Sequence, residues 1–124
     1  MFVVAFDPGK TTGYCVVKLG KTDDPEIINW GEISKPALSK KVLQNLTRGC
    51  TDIVVERAVL TGRLNEDKVD QIRVTERIDF LGEGKVRKVS PEEKRLVKDV
   101  PKEIKGDHAR DAYKLLNAWL LRKE

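Results

Sequence analysis

Two short apolar runs in this chain each end in a carboxylate. One run, residues 1–6, leads directly into Asp7, and the run that follows Asp52 ends in Glu56. A buried strand has no structural use for a carboxylate, because removing that charge from water costs free energy unless a cation compensates it. Asp7 is therefore a candidate ligand for a cation or a residue of a phosphate site. Because Pro8 and Gly9 follow it, a carboxylate that merely caps the turn is the alternative for Asp7 alone.

The C-terminal segment carries the only histidine of the chain. Its apolar residues recur at helical spacing and predict a helix over 107–122 with one buried stripe, formed by Ala112, Leu115, Leu116, Trp119 and Leu120. His108 and Asp111 continue this stripe at its N-terminal end, and residues three apart share a helix face. A lone histidine is usually a partly buried side chain with satisfied hydrogen bonds, but the neighbouring Asp111 and the two strand-end carboxylates favour a site. Asp107 follows Gly106 and is predicted to be the N-cap, so it ranks below His108.

Together, Asp7, Glu56, His108 and Asp111 would form an oxygen-rich set that suits hard divalent cations. We expect Mg²⁺ or Mn²⁺, with two ions per active site. The carboxylates would repel one another strongly without a cation between them. Two such ions about 4 Å apart can activate a water and stabilise the leaving oxygen of a phosphodiester. The four residues therefore predict a catalytic metal site.

The predicted secondary structure brings these residues together. A helix lies between the third and fourth strands, so the fourth should run parallel to the first and beside it, with Asp7 and Glu56 at the same edge of the sheet. The sequence predicts strands over 2–7, 13–19, 26–33, 52–56 and 85–89, and helices over 36–48, 65–81, 91–98 and 107–122. Ser90, Pro91 and Glu93 are typical of the start of the third helix.

The length of 124 residues predicts a single domain over 1–124. Cys15 and Cys50 lack metal-binding spacing and are expected to be core residues or incidental thiols. No apolar run reaches membrane-spanning length and no signal-peptide pattern is present, so we expect a cytoplasmic protein with no membrane partner.

Positive charge is concentrated between residues 85 and 105, although the formal net charge is only +4. Such a surface suits a phosphate backbone, and a solvated lysine-rich face is the alternative. The residues predicted to bind DNA are Lys10, Arg57, Arg63, Lys85, Arg87, Lys88, Lys94, Arg95 and Lys98.

In the order of its elements and the position of its carboxylates, the chain resembles the ribonuclease H-like superfamily. More narrowly, the segments VVAFDPGKTTGYCVV, DIVVER and DHARDAYKLL look like the three active-site segments of RuvC-type Holliday junction resolvases, including their small phage relatives. The resemblance covers nearly the whole chain, and it implies that the protein works in the cytoplasm of a bacterial or phage-infected cell. It implies an α/β fold of the ribonuclease H-like type, with a mixed five-stranded sheet and helices on both faces.

For function, the resemblance implies a crossover junction endodeoxyribonuclease that resolves four-way junctions by phosphodiester hydrolysis. Asp7 would be the ligand shared by both metal ions, Glu56 a second carboxylate, and His108 and Asp111 the paired positions of the last helix. The family also implies branched DNA as the substrate, paired symmetric nicks, 5′-phosphate ends, and a homodimer whose interface is usually the second helix, here 65–81.

Three other functions compete with this one. A sugar kinase or actin-like ATPase would need a second domain of the same kind, and a non-catalytic DNA-binding module would be expected to have lost at least one acidic position. A ribonuclease H-like nuclease that acts on RNA or on unbranched DNA is the alternative that the sequence excludes least well.

Overall fold

The computed structural model describes residues 1–20, 25–34, 38–57 and 65–123. Within these ranges the elements are, in chain order, β1 (Phe2–Asp7), β2 (Thr11–Lys18), β3 (Glu26–Ser34), α1 (Lys40–Thr47), β4 (Cys50–Glu56), α2 (Glu66–Leu81), β5 (Val86–Val89), α3 (Pro91–Arg95) and α4 (Asp107–Lys123). None of the helices in those ranges is long and apolar enough to cross a membrane.

The strands form one mixed sheet in the order β3-β2-β1-β4-β5. β1 is antiparallel to β2 and parallel to β4, and Phe6 is paired with Val55. Asp7 and Glu56 are the residues that follow this pair, so they end neighbouring parallel strands at the same edge. The predicted crossover and its consequence for the two carboxylates are confirmed.

Helices cover both faces of the sheet, as the resemblance implied. Val3 and Ala5 of β1 belong to a buried cluster with α4, whereas Val4 and Phe6 belong to a second cluster with α1 and α2. β1 is therefore buried on both faces, because its alternate side chains enter different clusters. The site lies where this rigid central strand ends.

Several helix boundaries differ from the predicted ones. α2 begins after its cap, Asn65, and ends at Leu81, close to the prediction. α1 begins at Lys40, because Ser39 caps it and accepts a hydrogen bond from the Val42 nitrogen; the predicted start at Pro36 lies outside the described residues. α3 has the predicted Ser90 capping box but ends at Arg95 instead of residue 98. After Arg95 the α-helical hydrogen bonds give way to bonds between residues three apart, from the Leu96 nitrogen to the Glu93 carbonyl and from the Val97 nitrogen to the Lys94 carbonyl.

The strand boundaries and the cysteines agree more closely with expectation. β4 begins two residues before the predicted start, because Gly49 turns the chain with a positive φ of 77° and Cys50 already pairs with Phe2. Cys15 and Cys50 are free and buried, as predicted. Burial raises the pKa of the Cys15 thiol to about 12, so that thiol is unreactive at neutral pH.

Candidate active site

The C-terminal edge of β1 and β4 carries the first two candidate ligands. Asp7 is almost fully buried, and Glu56 is partly buried. The Oε2 atom of Glu56 accepts a hydrogen bond of 3.4 Å from the amide of Gln71 in α2. Both carboxylates are therefore held by the fold at the place that the strand pattern predicted.

The first turn of α4 adds the other two candidates. His108 Nδ1 lies 3.4 Å from Asp7 Oδ2. Asp111, one helical turn later, is among the charges that act on Asp7. The structure thus brings Asp7, Glu56, His108 and Asp111 into one neighbourhood from β1, β4 and α4.

Gly13 allows α4 to approach the sheet this closely. It pairs with Asp7 across the β1–β2 ladder. A Cβ at position 13 would lie 2.6 Å from the Ala109 nitrogen and closer still to the carbonyl group of His108. Any side chain larger than hydrogen at this position would force the first turn of α4, and His108 with it, away from Asp7.

Glu32 of β3 fixes the same turn from the other side. Its Oε2 atom accepts a hydrogen bond of 3.0 Å from the backbone nitrogen of His108. A carboxylate is favourable there, because the first N–H groups of a helix have no partner within the helix and carry partial positive charge. The Arg110 nitrogen bonds to the Gly106 carbonyl, so α4 begins with Asp107 as its first helical residue. The predicted N-cap role of Asp107 is wrong; its neighbour Gly106 occupies the cap position.

Lys94 of α3 lies among the carboxylates. Its Nζ atom is 2.8 Å from Glu56 Oε1 and 3.9 Å from Asp111 Oδ2. Burial alone would lower the pKa of Lys94, but its hydrogen bond to Glu56 and the charges of Glu56, Asp111 and Asp7 together raise it. Lys94, which the sequence assigned to a DNA-binding surface, is a cation of the carboxylate cluster.

The electrostatics of the cluster act most strongly on Asp7. Its pKa is raised from 3.8 to about 6, first by burial and then by the negative charges of Asp111 and Glu56. Lys94 and the contact with His108 oppose this shift. Asp7 is therefore a carboxylate that lacks sufficient positive charge around it.

The donor set fits a hard divalent ion, although the side chains are not arranged around one. Among the described residues, no three acidic, histidine or cysteine side chains converge closely enough to hold an ion as they stand. The Lys94 ammonium is nevertheless a cation bound by two of the predicted ligands, and Asp7 carries the excess negative charge that a further cation would relieve. Oxygen donors with one imidazole are the ligands that Mg²⁺ and Mn²⁺ accept.

A cleft of about 450 Å³ opens in front of Asp7, Glu56 and His108. The turn between β1 and β2 and the first turns of α2 line its other sides, and its wall includes Pro8, Gly9, Lys10, Thr11, Asn65, Asp67, Lys68 and Gln71. Sequence reasoning missed Gln71. Gln71 lies three, four and seven residues before three buried residues of α2, which are Val74, Thr75 and Ile78. It therefore continues the buried stripe of α2, as His108 continues that of α4.

The remaining residues of the predicted DNA-binding set divide into two groups. Arg87 Nε lies 3.1 Å from Asp52 Oδ1, and Lys88 Nζ lies 2.8 Å from Asp79 Oδ1, so these two cations are partnered within the protein. Arg63 lies outside the described residues. The others are exposed, and they are Lys10, Arg57, Lys85, Arg95 and Lys98.

Comparison with known proteins finds similarity in structure alone. No protein-family model matches the sequence, and no similar sequence is found among curated proteins. The chain is similar to RuvC of Thermus thermophilus in complex with a Holliday junction substrate, with a TM-score of 0.72 and 15% identity over 99% of this chain and 95% of that one. It is also similar to the fowlpox virus resolvase in complex with Holliday junction DNA, with a TM-score of 0.65 and 11% identity over 99% of both chains. The fowlpox virus Holliday junction resolvase alone gives a TM-score of 0.67 at 11% identity, over 98% of this chain and 99% of that chain.

These similarities establish the fold of the chain, which is ribonuclease H-like. The α/β class, the mixed five-stranded sheet and the helices on both faces that the sequence predicted are confirmed.

Proposed function

We propose that this chain is a metal-dependent endonuclease that resolves four-way DNA junctions by hydrolysing phosphodiester bonds with paired, symmetric nicks. The observation that carries the proposal is the convergence of Asp7, Glu56, His108 and Asp111, from three separate elements, on one edge of a ribonuclease H-like sheet. Such a convergence of repelling charges is costly for stability, so its presence favours a function. Two proteins of the same fold are solved with Holliday junction DNA, which supports a branched substrate.

Asp7, Glu56, His108 and Asp111 would hold the divalent ions, and the His108 ring lies beside Asp7. Ions bound there would supply a water of lowered pKa and positive charge for the phosphate oxygens. Asp7 is fixed by burial at the end of β1, and Gln71 fixes one oxygen of Glu56. Glu32 fixes the backbone of His108. The fold would thus fix the backbone positions of these residues before an ion binds and leave only their side chains to adjust, which lowers the cost of reorganisation in electrostatic catalysis.

The chemistry can be tested through the ends of the products. A labelled four-way junction is incubated with the protein in Mg²⁺, in Mn²⁺ or in chelator, and the products are then treated with DNA ligase. We expect nicks in both metals, none in chelator, and resealing by ligase, because hydrolysis would leave a 5′-phosphate beside a 3′-hydroxyl. Cleavage that persists in chelator, or ends that ligase cannot join, would contradict metal-dependent hydrolysis of this type.

Paired nicks on opposite strands require two active sites, so the proposal includes a homodimer. The exposed side of α2 supports it. Phe80 is 79% exposed, and beside it lies a groove of about 590 Å³ lined by Leu43, Leu81 and charged side chains of α1 and α2. Val74 and Ile78 are fully buried in the core of the protein, whereas Val69, Ile72 and Leu81 are partly exposed. Large exposed aromatic side chains on such a face are typical of an interface between subunits.

Substitution of Phe80 by Glu is expected to dissociate the dimer. A charge would have to be desolvated at the centre of the contact, and we expect the dissociation constant to rise by about 100-fold. Sedimentation velocity across a concentration series measures it. Leu96→Glu is the matched control, because Leu96 is similarly exposed, at 77%, but lies at the end of α3. A Phe80→Glu protein that remains dimeric, or a wild-type protein that is monomeric throughout, would refute this interface.

The proposed DNA surface is formed by exposed cations around the cleft. Lys10 lies on the wall of the cleft, and Arg57 follows Glu56 in the sequence. Arg95 is the last residue of α3, next to Lys94, and Lys98 lies three residues after the end of that helix. The ion-paired Arg87 and Lys88 are weaker candidates, because DNA would first have to displace Asp52 and Asp79.

The double substitution Arg95→Ala/Lys98→Ala is expected to weaken junction binding and to reduce its dependence on salt. Each phosphate contact that is lost reduces the slope of log K against log [salt] by about 0.9, so two contacts should reduce it by nearly 2. Fluorescence anisotropy over a salt series measures the slope. The control is Lys18→Ala/Arg48→Ala, which removes two exposed cations at the opposite edge of the sheet, where Lys18 pairs with Phe2 and Arg48 precedes β4. Equal slopes for the two double variants would place the DNA elsewhere.

A further inference from the structure

Lys94 is held in the carboxylate cluster by its own helix. Glu93, its neighbour in α3, completes the capping box with Ser90 and accepts a hydrogen bond of 2.8 Å from Arg122 Nε near the end of α4. Val97, one turn after Lys94, is buried in the cluster under α4. These contacts fix both ends of a five-residue helix, so Lys94 is directed inward by the fold.

The ammonium group of Lys94 is bound by residues from two different elements. Glu56 ends β4, at 2.8 Å from Nζ, and Asp111 belongs to α4, at 3.9 Å. The side chains of Lys94 and Glu56 are only 19% and 12% exposed. Water therefore screens this pair weakly, and the charge of Lys94 offsets much of the repulsion within the cluster.

Glu56 and Asp111 are two of the residues that would hold divalent ions in the proposed function, on which this inference rests. An oxygen that is hydrogen-bonded to an ammonium group at 2.8 Å has to give up or rearrange that bond before it can coordinate an ion. A positive charge among the ligands also repels the incoming ion directly. Binding of the ion and pairing with Lys94 are therefore competing states of the same carboxylates.

We propose that Lys94 is an internal counter-ion that holds the carboxylates in the ion-free protein and is displaced from Glu56 when a divalent ion binds. The exchange would make the ion-free site stable and would set the ion concentration at which the enzyme becomes active. Lys94 is in this sense a positioning residue, whose partner changes between the two states.

The direct test compares Lys94→Met with wild type by two measurements that do not depend on cleavage. In chelator, the variant should unfold at a temperature about 5 °C lower, because three carboxylates lose their shared cation. In a calorimetric titration with Mn²⁺, it should bind the ion at least about tenfold more tightly, because the competing charge is gone. Lys114→Met is the matched control: Lys114 Nζ is also 3.9 Å from Asp111, at Oδ1, yet Lys114 has no ion pair with Glu56 among the described residues. Its ion affinity should change by less than about threefold.

A second measurement uses the wild-type protein, so that it stands even if Lys94→Met fails to fold. The protein is labelled with ¹⁵N-lysine, and the ammonium signal of Lys94 is assigned by its loss in Lys94→Arg. In the ion-free protein, the bond to Glu56 should slow the exchange of the ammonium protons with water. Addition of Mg²⁺ should make that exchange fast. A protected signal that persists at ion saturation, or equal Mn²⁺ affinity in Lys94→Met and wild type, would overturn the inference while leaving the proposed function intact. Absence of any ion binding to the wild-type protein would instead overturn both.

Discussion

The Asp7→Asn protein will bind a four-way junction with wild-type affinity but cleave it more slowly by on the order of 10³-fold or more. Asp7 is buried at the end of β1, and the charges of Glu56 and Asp111 and the contact with His108 all act on its carboxylate. Asn keeps the shape of the side chain but removes the charge that would hold an ion. Affinity for DNA would come mainly from the exposed cations and should therefore be spared.

Single-turnover cleavage and anisotropy on the same junction measure the two effects separately. Asp107→Asn is the control for the loss of a carboxylate close to the site, since Asp107 is exposed in the first turn of α4. It should cleave within about threefold of wild type. If Asp7→Asn cleaves at the wild-type rate with metal present, the assignment of the site is wrong.

The same substitution should stabilise the ion-free protein at neutral and alkaline pH. The pKa of Asp7 is about 6 in the folded protein against an ordinary 3.8, so its ionised form costs on the order of 2 to 3 kcal/mol of folding free energy. Because the pKa of Asp7 is higher in the folded than in the unfolded protein, the folded wild-type protein binds the proton more tightly. Its free energy of unfolding therefore increases as the pH falls from above 6 towards 4. The gain of Asp7→Asn over wild type should be largest above pH 7 and nearly absent at pH 4. Denaturant unfolding in chelator at both pH values measures it, and a gain independent of pH would contradict the cause given for the shift.

Gly13→Ala is expected to have the second largest effect, although it introduces only one methyl group. That methyl would overlap the backbone of His108 and Ala109, and because the atoms it meets first are all backbone atoms, no flexible side chain can yield. We expect a loss of about 3 kcal/mol of stability and of most cleavage activity, since the turn of α4 that carries His108 has to move away from Asp7.

Gly20→Ala is the matched control. A Cβ at position 20 would meet nothing within 4 Å, so its stability should change by less than about 0.5 kcal/mol. Thermal unfolding and junction cleavage are measured for both variants. If Gly13→Ala is as stable and as active as Gly20→Ala, the close approach of α4 to β2 does not position the site.

The positions of the four candidate ligands were predictable because each lies in a regular element. Asp7 and Glu56 end strands whose parallel pairing follows from the helical crossover between them. His108 and Asp111 continue an apolar stripe whose period fixes the face they share. In both cases the local periodicity determines the direction of the side chains, and the pairing of the strands brings them together.

The positions of Lys94 and Glu32 could not be predicted from sequence periodicity. Lys94 lies in a stretch of basic residues, and composition alone does not distinguish a lysine that faces carboxylates from one that faces solvent. Its direction follows from the contacts that fix α3 against α4, which are the pairing of Glu93 with Arg122 and the burial of Val97. Glu32 belongs to the edge strand β3, and its contact with the His108 nitrogen spans 76 residues of sequence. Contacts of this kind depend on tertiary packing and leave no periodic pattern.

The site is proposed to hydrolyse branched DNA in preference to other nucleic acids. The most direct measurement is single-turnover cleavage, in Mg²⁺, of a labelled four-way junction beside a linear duplex and an RNA–DNA hybrid built from the same arm sequences. We predict nicks at symmetric positions on two opposite strands of the junction, with the duplex and the hybrid left intact. Cleavage of the duplex or the hybrid at the same rate as the junction would contradict the proposal, and so would the absence of cleavage of all three substrates.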